Sequence, residues 1–199
     1  MNAVLKKNAA RCEVSSFAIR AERPSDVAAR EALLDASFGA DRHARTCQRL
    51  RDGRKPVEGL ALAAVSNGEL IGTVRLWHVS AGGIPALALG PLAVAAVHRS
   101  LGVGAALMKR ALDLAQAHGH GAVILLGDAP YYARFGFSTV KTGNLLLPGP
   151  FDRDRLLAVE LRKNALEAAA GRIVPTGARV SRMRRCHARE IARPMPCAA

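Results

Sequence analysis

Leu92-Ala93-Val94 closes an apolar run, and Arg99-Ser100-Leu101-Gly102-Val103-Gly104-Ala105 follows at once and opens a helical pattern. A strand end, a glycine loop and a helix start in that order leave unpaired backbone N–H groups at the positive end of a helix. The glycines let an anion reach those groups with no Cβ in the way. Phosphate binding is the chemistry this suits. No Lys-Ser/Thr accompanies the glycines as a P-loop requires. Leu107 stands where a dinucleotide fingerprint has its third glycine, and no acidic residue follows at that motif's distance. Nucleotide hydrolysis and NAD binding are therefore disfavoured. From Glu69 to Asp113 no carboxylate intervenes, while Arg75, Arg99, Lys109 and Arg110 do, so the anion seat lies in a positive field. His118-Gly119-His120 straddles a helix stop, where histidine meets the negative end of the helix dipole, and no metal is expected.

These residues need elements to hold them. Residues 16–20 read as a short strand. Pro24 and Ser25 open an amphipathic helix whose apolar positions Val27, Leu33, Leu34 and Phe38 recur at helical spacing, with Gly39 closing it. A more basic helical piece is expected over 43–51. Strands over 60–66 and 70–79 flank Asn67-Gly68, a strong hairpin signal. The run 86–94 is broken by Gly90-Pro91, and because proline gives no N–H to a ladder, that strand should bulge or splay there. A helix over 101–118, a strand over 122–126, a helical turn over 130–135 and strands over 137–140 and 156–161 complete the order. Asn164 can cap a small alanine-rich helix ended by Gly171. This is an α/β or α+β mixture with one right-handed β-α-β crossover.

Composition bounds the partners. The chain has 199 residues, carries a formal charge of +13 and is 50% apolar, which suits one folded domain that attracts anions. Eight aromatic residues are few for a protein that stacks unpaired bases, so charge alone does not make it a nucleic-acid binder. No apolar run reaches the roughly 20 residues of a membrane-spanning helix, and no secretory signal is read near the N-terminus. A cytoplasmic protein without a membrane partner is expected. The cysteines at 12, 47, 186 and 197 form no Cys-x-x-Cys pair, which argues for reduced thiols. The expected organisation is a flexible leader over 1–14, a domain over 15–175 and a basic, disordered tail over 176–199. From Arg179 onward that tail holds six arginines against one glutamate.

The spacing Arg99-x-x-Gly102-x-Gly104 behind Leu92-Ala93-Val94 resembles the Arg/Gln-x-x-Gly-x-Gly/Ala signature of the GNAT superfamily of N-acetyltransferases, in its bacterial predicted-acetyltransferase branch. Downstream, Tyr131-Tyr132-Ala133-Arg134-Phe135-Gly136-Phe137 is similar to that family's second signature. The resemblance runs over about 15–161. It implies a mixed, mostly antiparallel, twisted sheet of about 6–7 strands with splayed central strands and flanking helices. It also implies acetyl-CoA as cosubstrate, with Leu92, Ala93 and Val94 along the pantetheine arm and Arg99, Ser100, Leu101, Gly102, Val103, Gly104 and Ala105 at the pyrophosphate.

By the same resemblance Tyr132 is the general acid beside the sulfur, and acetyl passes to a primary amine by direct attack in a ternary complex. The base is less defined. Many members use a glutamate near the central strands, which the carboxylate-free stretch removes here, leaving Asp128 and His78 as candidates. Asp128 could equally cap the helical turn at Pro130, and His78 could equally be a half-buried strand residue. Gly127-Asp128 also replaces an asparagine common before the tyrosine. The acceptor side falls in 30–55 and 142–155 and carries no decodable motif. A polyamine is disfavoured by like charge, whereas an acidic peptide or small anionic amine is tolerable. The acceptor is thus a small molecule or a protein, and the chain a monomer or homodimer. Two other classes stay open: a non-catalytic CoA-binding regulatory module and a basic nucleic-acid-binding protein.

Overall fold

A computed structural model describes residues 16–180; the leader expected over 1–14, with Cys12, and residues 181–199 of the expected tail, with Cys186 and Cys197, lie outside the described residues. Eight strands form one sheet: β1 (Ala18–Ala21), β2 (Ala61–Ser66), β3 (Glu69–Ala81), β4 (Ile84–Val94), β5 (Ala122–Leu126), β6 (Leu145–Leu146), β7 (Leu156–Glu160) and β8 (Gly171–Pro175). The main path runs β1-β2-β3-β4-β5-β7. Strand β8 pairs with the far end of β3 and with β6. Only the β4–β5 and β6–β8 pairs are parallel. The β2–β3 hairpin turns on Asn67 (φ 50°) and Gly68 (φ 83°), both in the left-handed region that a two-residue type I′ turn needs.

Three α-helices decorate the sheet: α1 (Val27–Phe38), α2 (Val103–Ala117) and α3 (Ala129–Ala133). Helix α2 crosses between β4 and β5 and buries Val103, Leu107, Met108, Ala111 and Ala115 against Leu62, Val74, Leu76 and Val123. The opposite face of the sheet carries a second core, in which Leu50, Leu145 and Leu156 pack with Ile124 and Ile173. Burying side chains of this size stabilises the fold by roughly 1.5–3 kcal/mol each.

Several elements differ from expectation. The helix expected over 43–51 is two 3-10 turns, Ala40–Ala44 and Thr46–Leu50, because Arg45 is extended (φ −67°, ψ 145°) and breaks the helical path. Helix α2 starts two residues late, since Ser100 and Gly102 hold positive φ. The strand expected over 137–140 shrinks to the bridge Ser138↔Ala158. There the chain turns away, and the buried Thr142 hydroxyl donates to Leu156 O at 2.7 Å. No helix forms at 164–171. Asn164 is left-handed (φ 59°), and Glu160 Oε1 accepts the Leu166 N–H, so this stretch folds as turns into β8. Residues 176–180 lie along 53–55: Lys55 N–H donates to Ala178 O, Val180 N–H to Gly53 O, and Arg54 bridges Arg179.

Candidate active site

The site begins where β4 parts from β5. Their ladder covers only Leu87↔Val123 and Ala88↔Ile124. Just beyond it, Gly90 and Pro91 together face the single residue Arg75 of β3, a bulge flanked by Leu76↔Leu89 and Val74↔Leu92. The Gly90-Pro91 peptide is cis, and Trp77 Nε1 donates to Gly90 O at 2.9 Å. Past the bulge β4 stays with β3 and leaves β5, which opens a wedge. Ala95 N–H donates to Ile71 O. By the two-residue alternation of an antiparallel ladder, Ala93 also turns its main chain to β3, while Leu92 and Val94 turn theirs to the wedge. Two of the three expected strand residues thus turn their main chain away from β3 and into the wedge.

At the end of the wedge a 3-10 turn, Ala96–His98, leads into Ser100 (φ 69°) and Gly102 (φ 79°) and then α2. The N–H groups of Val103, Gly104 and Ala105 have no partner inside the helix, as in any first turn. Ser100, Leu101 and Gly102, which lead into this row, are exposed; Gly104 and Ala105 are half-buried and Val103 is buried. Gly104 is needed for close approach: a Cβ there would lie 3.0 Å from Tyr131 Oη and 3.6 Å from Val94 Cγ2. Arg99 is exposed, and its Nε reaches back to Val94 O at 3.4 Å. Beside the cradle a shallow groove of about 530 Å³ is lined by Ala105, Lys109 and Arg134. Arg134 stacks over the Tyr131 ring at 4.0 Å, which holds both beside the cradle.

The wedge opens on its other side into a cavity of about 950 Å³ walled by Leu92, Trp77, Gly127, Tyr132 and the segment 42–51. Tyr132 sits on α3 with its ring edge-on to Tyr131 at 4.9 Å and to Phe137 at 5.9 Å. Burial pushes its phenol up to about 12; the nearby Tyr131 and Asp128 add to the rise and Arg155 opposes it. The phenol is therefore a fully protonated donor at neutral pH. Asp128 is exposed, lines the same cavity and makes no side-chain cap to α3, so its carboxylate is uncommitted among the described residues.

His78 is not brought to this cavity. It is exposed on β3, with its ring 5.4 Å from His120 and its carbonyl accepting from Thr176 and Gly177. No group of three or more metal-ligating side chains forms among the described residues. The segments 30–55 and 142–155, expected on the acceptor side, both contribute walls to this cavity. Glu31, Arg51 and Arg155 line the cavity from α1, the residue after the second 3-10 turn and the residue before β7. Only the fold, and no local motif, joins them.

Residues 27–137 match the model of the Acetyltransferase (GNAT) family, more than half the chain and the whole span from α1 to α3. The chain belongs to the GNAT acetyltransferase family. This GNAT chain is 32% identical over 155 residues to the uncharacterized N-acetyltransferase YhbS of Escherichia coli (strain K12), a match covering 77% of this chain and 92% of the relative. The crystal structure of E. coli YhbS in complex with CoA superposes with a TM-score of 0.70 at 31% identity, over 80% of this chain and 89% of that one. A GNAT acetyltransferase of Brucella melitensis in complex with acetyl-CoA gives a TM-score of 0.55 at 27% identity, over 73% and 96%. The eight-stranded, mostly antiparallel open sheet is the GNAT fold, with more strands than the sequence suggested. Among the described residues no helix is long and apolar enough to cross a membrane.

Proposed function

We propose that this chain transfers an acetyl group from acetyl-CoA to a primary amine by direct attack in a ternary complex. One relationship carries the reading: the amide row at the start of α2, the backbone of Leu92 and Val94 in the wedge and the Tyr132 phenol follow one another along a single path. An extended thioester carrier fits that path. Its pyrophosphate takes the N–H groups of Val103, Gly104 and Ala105, with Arg99 and the loop through Ser100, Leu101 and Gly102 around it. Lys109 and Arg134 add positive charge beside that seat, partly offset by Asp113 on the same groove. The main chain of Leu92 and Val94 pairs with the pantetheine amides, and a backbone N–H near Val94 polarises the thioester carbonyl as negative charge develops on its oxygen.

As the C–S bond breaks, Tyr132 Oη gives its proton to the departing sulfur. A solvated thiolate, whose thiol has a pKa near 8.5, is a weaker base than the phenolate of a phenol held at about 12, so on those values the proton would stay on oxygen. The same dry pocket that raises the phenol also raises the thiol and narrows that gap. The attacking nitrogen must lose a proton, and Asp128, uncommitted and facing the same cavity, takes it directly or through water. Support for Asp128 over His78 is positional, since His78 lies away from the cavity.

Thiol release from acetyl-CoA across an amine panel tests the reading. Tyr132→Phe should lower turnover by about 10²-fold or more while acetyl-CoA binding persists. Carrier binding with no turnover on any amine would favour the regulatory-module alternative, and no carrier binding would end the proposal.

A further inference from the structure

Six arginines but only two carboxylates, Glu31 and Asp128, line the cavity. Three of the arginines are already neutralised: Arg30 pairs with Glu22 and Glu31, Arg42 with Glu31 and Asp35, and Arg75 with Glu22. Arg45 donates to Phe38 O and lies over the Phe38 ring. Among the described residues, Arg51 and Arg155 pair with no carboxylate. Arg51 is half-buried, and its Nε is sealed from solvent with no hydrogen-bond partner. Asp52 next to it is held by Gln48 Nε2 at 2.6 Å. Arg155 reaches only Gly127 O, at a long 3.4 Å.

Desolvating a guanidinium without a counter-ion is costly, and burial accordingly lowers the Arg51 pKa. Arg155, on the same wall, is exposed and likewise has no carboxylate partner among the described residues, so the cavity offers an anion one desolvated and one solvated guanidinium, whose planar fork matches carboxylate and phosphate. Arg51 and Arg155 line this cavity together with Cys47 and Tyr132. Thr46 Oγ1 donates to Pro150 O and Arg49 to Pro148 O, tying the 46–50 turn before Arg51 to the segment that leads to Arg155. An acceptor that reaches both arginines has to fit a cavity of about 950 Å³, which suits a small molecule.

We infer that Arg51 and Arg155 form a subsite for the carboxylate or phosphonate-type anion of a small acceptor amine. The inference rests on the acetyl-transfer reading and extends it to the class of acceptor. With the anion held by the arginines, the amine at the other end of the molecule lies towards Tyr132 and the mouth of the wedge.

Matched amines provide the test. Glycine against glycinamide, β-alanine against its amide and 2-aminoethylphosphonate against 3-aminopropanol differ in the anion and in amine basicity, so kcat/KM is compared per unprotonated amine. In thiol-release assays the charged member of at least one pair should have the higher kcat/KM by about 10- to 100-fold, the range expected for hydrogen bonds to a charged group. Arg51→Gln and Arg155→Gln should each collapse that ratio towards one, mainly through KM. Calorimetry with 2-aminoethylphosphonate on the chain preloaded with CoA gives a second readout that needs no turnover: heat in the parent and in Tyr132→Phe, and none in the Arg51→Gln/Arg155→Gln double variant. Equal kcat/KM within every pair, or equal heat in parent and double variant, overturns the inference. Failure of the carrier to bind at all overturns the acetyl-transfer reading instead, and calorimetry without CoA then still reports on the arginines.

Discussion

Gly127 and Tyr132 touch so closely that a methyl group at 127 would stand 2.2 Å from the ring carbon Cε2 of the tyrosine. No ordinary contact is that short, and Leu125 Cδ1, at 2.9 Å from the same point, blocks the other way out. The glycine that ends β5 therefore sets where the phenol lies. Gly127→Ala should displace the ring, cost about 1–3 kcal/mol of stability through overpacking and lower kcat far more than it weakens carrier binding. Denaturant unfolding and steady-state kinetics on the same preparation separate the two effects.

The amide cradle offers a paired test. Gly104→Ala sets a methyl group 3.0 Å from Tyr131 Oη, tight enough to push the phenol off the first turn of α2 or the turn off its place. Carrier affinity by calorimetry should fall in Gly104→Ala. Adding Tyr131→Phe removes the clashing oxygen, so the double variant should recover part of the loss. Strict additivity of the two changes would show that the contact does not matter.

Alkaline titration follows from Tyr132. Its folded-state pKa is raised from 10.0 to about 12, so its contribution to stability is fully present below pH 10 and is lost as pH rises through about 12. Tyrosinate absorbance should show one of the two tyrosines ionising late, and Tyr132→Phe should remove that late step. A late step that survives in Tyr132→Phe would assign it elsewhere.

Acid behaviour has a different owner. Arg20 donates to both carboxylate oxygens of Asp26, and the Arg23 N–H adds a third bond, which holds the Asp26 carboxyl down at about 2 from 3.8. Because this pKa is depressed, the stability it contributes is present above pH 3.8 and is lost as pH falls through about 2. Asp26→Asn should destabilise the chain near neutrality, and the difference from the parent should vanish at the acid end of a pH series of unfolding midpoints.

Where local chemistry decides structure, the sequence was readable. Asn67-Gly68 turns as its backbone preferences require, Gly90-Pro91 interrupts its strand, and the apolar stripe of α2 faces the sheet. Where distant partners decide, it was not. The alanine-rich stretch near 165 favours helix, but Glu160 takes the Leu166 N–H and the chain continues into β8, whose strand partner is the end of β3 some ninety residues earlier. Tyr132 and the cradle sit in recognisable blocks. Arg51 and Arg155 stand about a hundred residues apart in segments without periodicity, and only packing brings both to one cavity.

The lacing of residues 176–180 to 53–55, with Arg54 Nη1 also donating to Gly177 O at 2.6 Å, gives the chain's last described residues a mechanical task. They moor, from behind, the strand of backbone that carries Arg51. Trimming the chain after Pro175 would cut those moorings while sparing Tyr132 and the amide row, so residues 176–180 act as a tether for the cavity wall that carries Arg51.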